Sequence, residues 1–179
     1  AATSSDRNRI VQIDWQPALA VYRRLMQERY GVAIDRDNFY RYAVNFPFGI
    51  VRADGEVLVR IPVSLGDDDS ITCVGEIPPN AVLALLDASA GSHLAPLRLA
   101  ESLEQRVAGG DLLLFYCAGR RLHKGAASAD ELRQVVAASG TRAMYGALSL
   151  GEIGGSRAGG SPLFHNAPLV GVPWRETAS

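Results

Sequence analysis

A carboxylate, Glu152, and an imidazole, His165, bracket a glycine-rich connection within the stretch YGALSLGEIGGSRAGGSPLFHN, which runs from Tyr145 to Asn166. Such a pair can hold an amino group or exchange a proton with a bound molecule. Five glycines fall in the ten residues from Gly151 to Gly160, so the backbone between the two groups bends without steric penalty. If the flanking runs pair as a hairpin, both groups reach the same end of a sheet. The same residues also fit a plain flexible connection with a solvated Glu152. The glycine spacing matches neither GxxxxGK[ST] nor GxGxxG, and no helical pattern follows it, which argues against nucleotide hydrolysis.

Other side chains offer different chemistry. Cys117 ends an apolar run and precedes Ala118-Gly119-Arg120-Arg121; the nearby guanidiniums favour a thiolate, and His165 is the one plausible base for it. A buried cysteine acting as a small hydrophobe is the alternative. Arg120, Arg121, His123 and Lys124 form a short basic cluster that suits a carboxylate or phosphate, or a solvated loop. His93, His123 and His165 lack metal-ligand spacing, and with Cys73 and Cys117 as the whole cysteine complement no structural zinc site is expected.

The elements that must position these groups follow from periodicity. Ile10, Val11 and Ile13 predict a strand after a frayed lead-in at 1–8. Asp14 is expected to cap a helix with Pro17 in its first turn, Ala18, Val21, Tyr22, Leu25 and Met26 on its buried face, and Gly31 at its end. Apolar runs at 46–51, 57–61, 71–77 and 81–86, broken by Asp54-Gly55, Gly66 to Asp69 and Pro78-Pro79-Asn80, predict an antiparallel meander. Leu97, Ala100, Leu103 and Val107 mark a second helix ending at Gly109-Gly110. Leu112 to Cys117 has the unbroken apolarity of a strand covered on both faces. Ser128 and Glu131 have the spacing of a capping box for a third helix, through Val135 to Gly140. Met144, Gly146, Leu148 and Leu150 then alternate with Tyr145, Ala147 and Ser149 as a half-buried strand entering the closing hairpin, which ends at Trp174. The expected class is α+β: a mixed, mainly antiparallel sheet with flanking helices.

Bulk properties set the outer limits. With 179 residues and 47% hydrophobic content, one globular domain with one core is the expectation. A net charge of -1 removes the electrostatic case for nucleic acid or an anionic membrane surface, and no apolar run reaches membrane-spanning length. Two cysteines fit a reducing cytoplasm. The chain opens AATSSDRNR without an initiator Met, which leads us to expect a piece of a longer protein.

Five segments occur together in an informative order. They are WxPAxxxY (Trp15, Pro17, Ala18, Tyr22), PFGIVR (Pro47 to Arg52), LLLFYCAGR, the following helix with Glu131, and GALSLGEI…FHN. In this order the chain resembles the C-terminal domain of the FIST family, the F-box and intracellular signal transduction proteins, from about Asp14 to Asn166. It departs from the family at Ala167-Pro168, where a threonine is usual. The resemblance implies a bacterial sensory module rather than an enzyme, accompanied by an N-terminal FIST half and a signalling output partner. It places family hallmarks on Cys117, Gly119, Arg120, Gly151, Glu152, His165 and Asn166.

The resulting expectation is a cytoplasmic sensor of a small polar, amino acid-like ligand. Arg120, Glu152 and His165 would anchor it, and Asn166, Cys117, Tyr145 and Ser149 would complete the ligand-binding set. No catalytic residue, metal or named cofactor is assigned. The alternatives are a haem-binding gas sensor, as the resemblance to some bacterial members implies, a hydrolase or transferase using Cys117 with His165, and a protein-interaction module.

Overall fold

The computed structural model describes residues 1–88, 92–107, 109–154 and 162–174. The chain gathers into two compact units, 1–90 and 91–179.

The first unit contains β1 (Ser4–Asp6), β2 (Arg9–Ile13), β3 (Gln16–Pro17), α1 (Ala18–Tyr30), α2 (Phe39–Ala43), β4 (Phe48–Val51), β5 (Val57–Arg60), β6 (Pro62–Leu65), β7 (Ile71–Cys73) and β8 (Leu83–Leu85). Its two antiparallel sheets have the orders β1-β2-β7-β6, with β3 on β2, and β5-β4-β8. The apolar face of α1 buries Tyr22, whose ring meets Phe39 and Phe48 edge-on at 5.3 and 5.6 Å. Its hydroxyl donates to the Phe46 carbonyl at 3.0 Å, which satisfies the polar tip inside the core.

Several expectations fail here for local reasons. Residues 1–8 are not a frayed lead-in: β1 pairs with β2, and Ala2 is buried. Asp14 does not cap α1. It and Trp15 both adopt positive φ, turning the chain into β3 first, and the Asp14 carboxylate takes the terminal amine at 2.7 Å instead. Pro17 precedes the helix, while Gly31 ends it at φ 66 as expected. The hairpin on Asp54-Gly55 forms, with Gly55 at φ 82. The meander does not, because the single residue Ile61 between β5 and β6 is too short to reverse the chain. Strand β6 therefore leaves for the other sheet, and β8 returns to the open edge of β4.

The second unit holds α3 (Ala95–Val107), β9 (Asp111–Cys117), α4 (Ala118–Lys124), α5 (Ala127–Ser139), β10 (Ala143–Ser149), β11 (Glu152–Gly154), β12 (Leu163–His165) and β13 (Leu169–Trp174). Its main sheet has the order β10-β9-β13, with β10 parallel and β13 antiparallel to β9. Strands β11 and β12 form a separate antiparallel ribbon. The α+β class holds, with the parallel pair joined through α4 and α5.

Leu103, Val107, Leu112 and Val135 form the core under α3 and α5, joined by Leu99, Met144 and Leu169. Burial of each such side chain stabilises the fold by about 1.5–3 kcal/mol. The expectation that β9 is covered on both faces is not met. Leu112, Leu114 and Tyr116 are buried, whereas Phe115 on the opposite face is 36% exposed. The core-forming helices pack on one face, so apolarity of the sequence overstates coverage. Leu148 and Leu150, expected on a buried face, are exposed as well.

Gly146 sits opposite Leu114 in the parallel pair, and an added Cβ would lie 1.8 Å from the Leu114 carbonyl oxygen. In α4 a Cβ on Gly119 would meet only Cys117 Sγ, at an ordinary 3.7 Å. Gly146→Ala is therefore expected to destabilise the chain by at least about 2 kcal/mol. Gly119→Ala, gaining helix propensity, should be neutral or stabilising by up to about 1 kcal/mol. Urea unfolding checks both; equal effects would contradict the close approach.

Candidate functional site

The carboxyl ends of parallel strands are open crevices where ligands bind in α/β sheets. Strands β9 and β10 end together, with Cys117 aligned to Ser149. Past Ser149 the chain turns into β11, and the Ser149 hydroxyl donates back to Glu152 Oε1 at 2.5 Å. Glu152 pairs directly with His165 across the ribbon, so both side chains lie on one face of it. The hairpin expected from the sequence is present in this respect. Its central glycine connection at 155–161 lies outside the described residues.

Gly151 permits the approach of the second strand, since a Cβ there would sit 2.7 Å from the Phe164 ring. His165 Nε2 donates to the Gly154 carbonyl at 3.2 Å. A carbonyl only accepts, so the neutral ring carries its proton on Nε2 and presents Nδ1 as an acceptor. Glu152 is only 3% exposed, and its Oε2 has no hydrogen-bond partner among the described residues. Such an orphan is uncommon, because a buried acceptor without a donor forfeits its hydration.

Arg120 does something different from what its sequence context suggests. It lies on the first turn of α4, where the expected glycine turn is instead helix, and it is buried. Its Nε and Nη2 donate to the two oxygens of Glu131 at 2.9 and 2.7 Å, and its Nη1 donates to the Ala167 carbonyl at 3.2 Å. Tyr116 donates to Glu131 Oε2 at 2.6 Å, and Lys124 Nζ lies 3.3 Å from Oε1. Burial pushes the Glu131 carboxyl up, but hydrogen bonds from Arg120 and Tyr116 with the charges of Arg120 and Lys124 outweigh it and hold the group below the usual range. Burial and the bond to Glu131 raise the Tyr116 hydroxyl above its ordinary value.

The capping box is consequently not formed. Ser128 donates to the Gly125 carbonyl at 2.7 Å, and Glu131 turns inward because the buried guanidinium is a far stronger partner than an exposed helix N–H. Glu131 and Tyr116 are the polar residues whose roles the sequence reading missed. A tyrosine inside the run LLLFYC was the available sign, since its hydroxyl must find a partner when buried. The basic cluster also separates: Arg121 is exposed and donates to the Gly125 carbonyl, while Arg120 and Lys124 serve Glu131.

Of the seven expected ligand-binding residues, Cys117, Ser149, Glu152, His165 and Asn166 gather at the strand ends, with Cys117 and Asn166 buried. Arg120 reaches the same turn through Ala167, which adopts φ 57 next to Asn166. Tyr145 does not join them: it is 64% exposed and, four residues before Ser149, stands about 13 Å back along the strand. Among the described residues no group of three or more His, Cys, Asp or Glu side chains is placed to hold a metal ion. Nor, among them, is any helix long and apolar enough to cross a membrane.

The family model of the FIST C domain matches residues 18–155. The match includes Cys117, Arg120, Glu131, Ser149 and Glu152, and stops before His165 and Asn166. No curated protein and no solved structure matches the chain.

Removing either member of the buried pair strands the other, so Arg120→Met or Glu131→Gln alone should cost about 3–5 kcal/mol. The double replacement Arg120→Met/Glu131→Leu should cost less than the sum. Because the folded-state pKa of Glu131 is lowered, its contribution is complete above the unfolded value of about 4.3. It is lost as pH falls through the lower folded value. Urea midpoints between pH 7 and pH 3 should then fall more steeply in wild type than in Glu131→Gln; parallel profiles would contradict this role.

Proposed function

The chain belongs to the FIST C domain family, which is associated with signal transduction, and from that premise we propose that it senses a small polar ligand of amino acid size. The ligand binds at the carboxyl ends of β9 and β10. Glu152 supplies the charged anchor, with Ser149, His165 and Asn166 as its polar surroundings. Arg120, engaged by Glu131, positions the Asn166–Ala167 turn instead of anchoring the ligand directly.

The observation that carries this reading is the Glu152 carboxylate, buried and held from one side by Ser149, with its second oxygen lacking a partner among the described residues. A group of this kind costs stability in an empty fold, and such costs are typical of places built to receive something. An N-terminal FIST half and a cytoplasmic output protein complete the proposed signalling path.

Thermal denaturation with a panel of amino acids and related metabolites tests the proposal. A ligand at 100 times its Kd stabilises by about 2.7 kcal/mol, raising Tm by about 5–10 °C for a chain of this size. Glu152→Ala and His165→Ala should each abolish the rise. A shift that survives both substitutions removes the site from the account.

A further inference from the structure

We infer that the ligand is recognised through a protonated amine, and that a carboxylate on the same ligand contributes little to its binding. This rests on the ligand site proposed above and names the chemistry that site selects.

The hydrogen-bond roles of the three side chains carry the argument. Glu152 is acceptor-only when ionised, and its Oε2 has no donor among the described residues. The Ser149 proton is committed to Glu152 Oε1, so what the hydroxyl has left to offer is its oxygen lone pairs. His165 Nε2 is committed as donor to the Gly154 carbonyl, which leaves Nδ1 of the neutral ring as an acceptor. Ser149 and the neutral His165 ring have thus spent their donors within the protein, and an ionised Glu152 has none. Ser149, His165 and an ionised Glu152 thus offer acceptors, and an ammonium is the small group with three donors, no acceptor and a charge opposite to a carboxylate's.

Among the described residues, the cations expected for the complementary half of an amino acid are already engaged. Arg120, the expected carboxylate anchor, has Nε and Nη2 on Glu131 and Nη1 on the Ala167 carbonyl. Lys124 is drawn to the same glutamate. Freeing Arg120 for a ligand means breaking a buried ion pair and stranding the Glu131 carboxylate. A proton on Glu152, or one buried water, would also satisfy Oε2, and a binding experiment separates these from an amine.

The experiment compares alanine, leucine and glutamate with their decarboxylated amines and with their deaminated acids. The amines are ethylamine, isoamylamine and 4-aminobutyrate; the acids are propionate, 4-methylpentanoate and glutarate. Binding is measured calorimetrically at pH 7 on the whole chain. We expect at least one amino acid and its matched amine to bind within a few-fold of each other, and the matched acid not to bind. Glu152→Gln, checked for folding by circular dichroism, should weaken amine binding about 10- to 100-fold. Ser149→Ala keeps the carboxylate and serves where Glu152→Gln fails to fold; it should weaken the amine several-fold. Binding of acids without amines, sensitive to Glu152→Gln or His165→Ala, overturns the amine assignment and leaves the ligand site standing. Binding of no member, or binding indifferent to all three substitutions, overturns both, including the case in which Oε2 holds only a proton or water.

Discussion

The buried pair of Arg120 and Glu131 is the constraint on which the site depends. Two charges removed from water are tolerated only when both are hydrogen-bonded nearly to capacity, and here the carboxylate accepts from Arg120 twice and from Tyr116 once, with Lys124 near. The pair therefore has little freedom to rearrange. Tyr116 belongs to β9, Arg120 to α4 and Glu131 to α5, and Arg120 Nη1 reaches the carbonyl of Ala167. One network thus holds a strand, two helices and the turn that follows His165 and Asn166. Its main effect is to fix where the strand ends lie, whatever its net contribution to stability.

Two buried glutamates of the second unit show how environment divides labour between identical side chains. Glu131 is surrounded by donors and neutralised by a guanidinium, so it has nothing to offer a ligand. Glu152 receives one hydroxyl bond, and its other oxygen has no partner among the described residues. A protein core normally eliminates such orphans. The contrast gives Glu131 a structural role and singles out Glu152 as the binding group we propose, although residue type and family position alone would treat them alike.

Local signals were legible in the sequence where one short-range rule decides the outcome. Asp54-Gly55 makes its hairpin, Gly31 and Gly140 take left-handed conformations at helix ends, and Glu152 meets His165 across a ribbon. The failures arise where a distant partner outbids a local one. Ser128 and Glu131 have capping-box spacing, yet a guanidinium from α4 claims the glutamate. Asp14 has a cap's identity, yet two consecutive positive-φ residues place it before another strand. The strand run of the first unit reads as a meander because sequence order suggests pairing order, and only the one-residue link at Ile61 hints otherwise. Likewise, the short ribbon of β11 and β12 was legible. The strands expected to form the closing hairpin, β10 and β13, instead lie on opposite sides of β9, and the parallel pairing of β10 with β9 is set by a crossover through α4 and α5.

Carboxyl carbon NMR addresses the central claim most directly, because it observes the two buried glutamates separately. With side-chain carboxyl resonances assigned by single Glu→Gln substitutions, spectra are recorded at neutral pH with and without saturating ligand from the binding panel. The Glu152 carboxyl carbon is expected to move on binding while that of Glu131 stays in place, held by Arg120 and Tyr116. A Glu152 resonance that does not respond, or a Glu131 resonance that moves in its stead, would contradict the account.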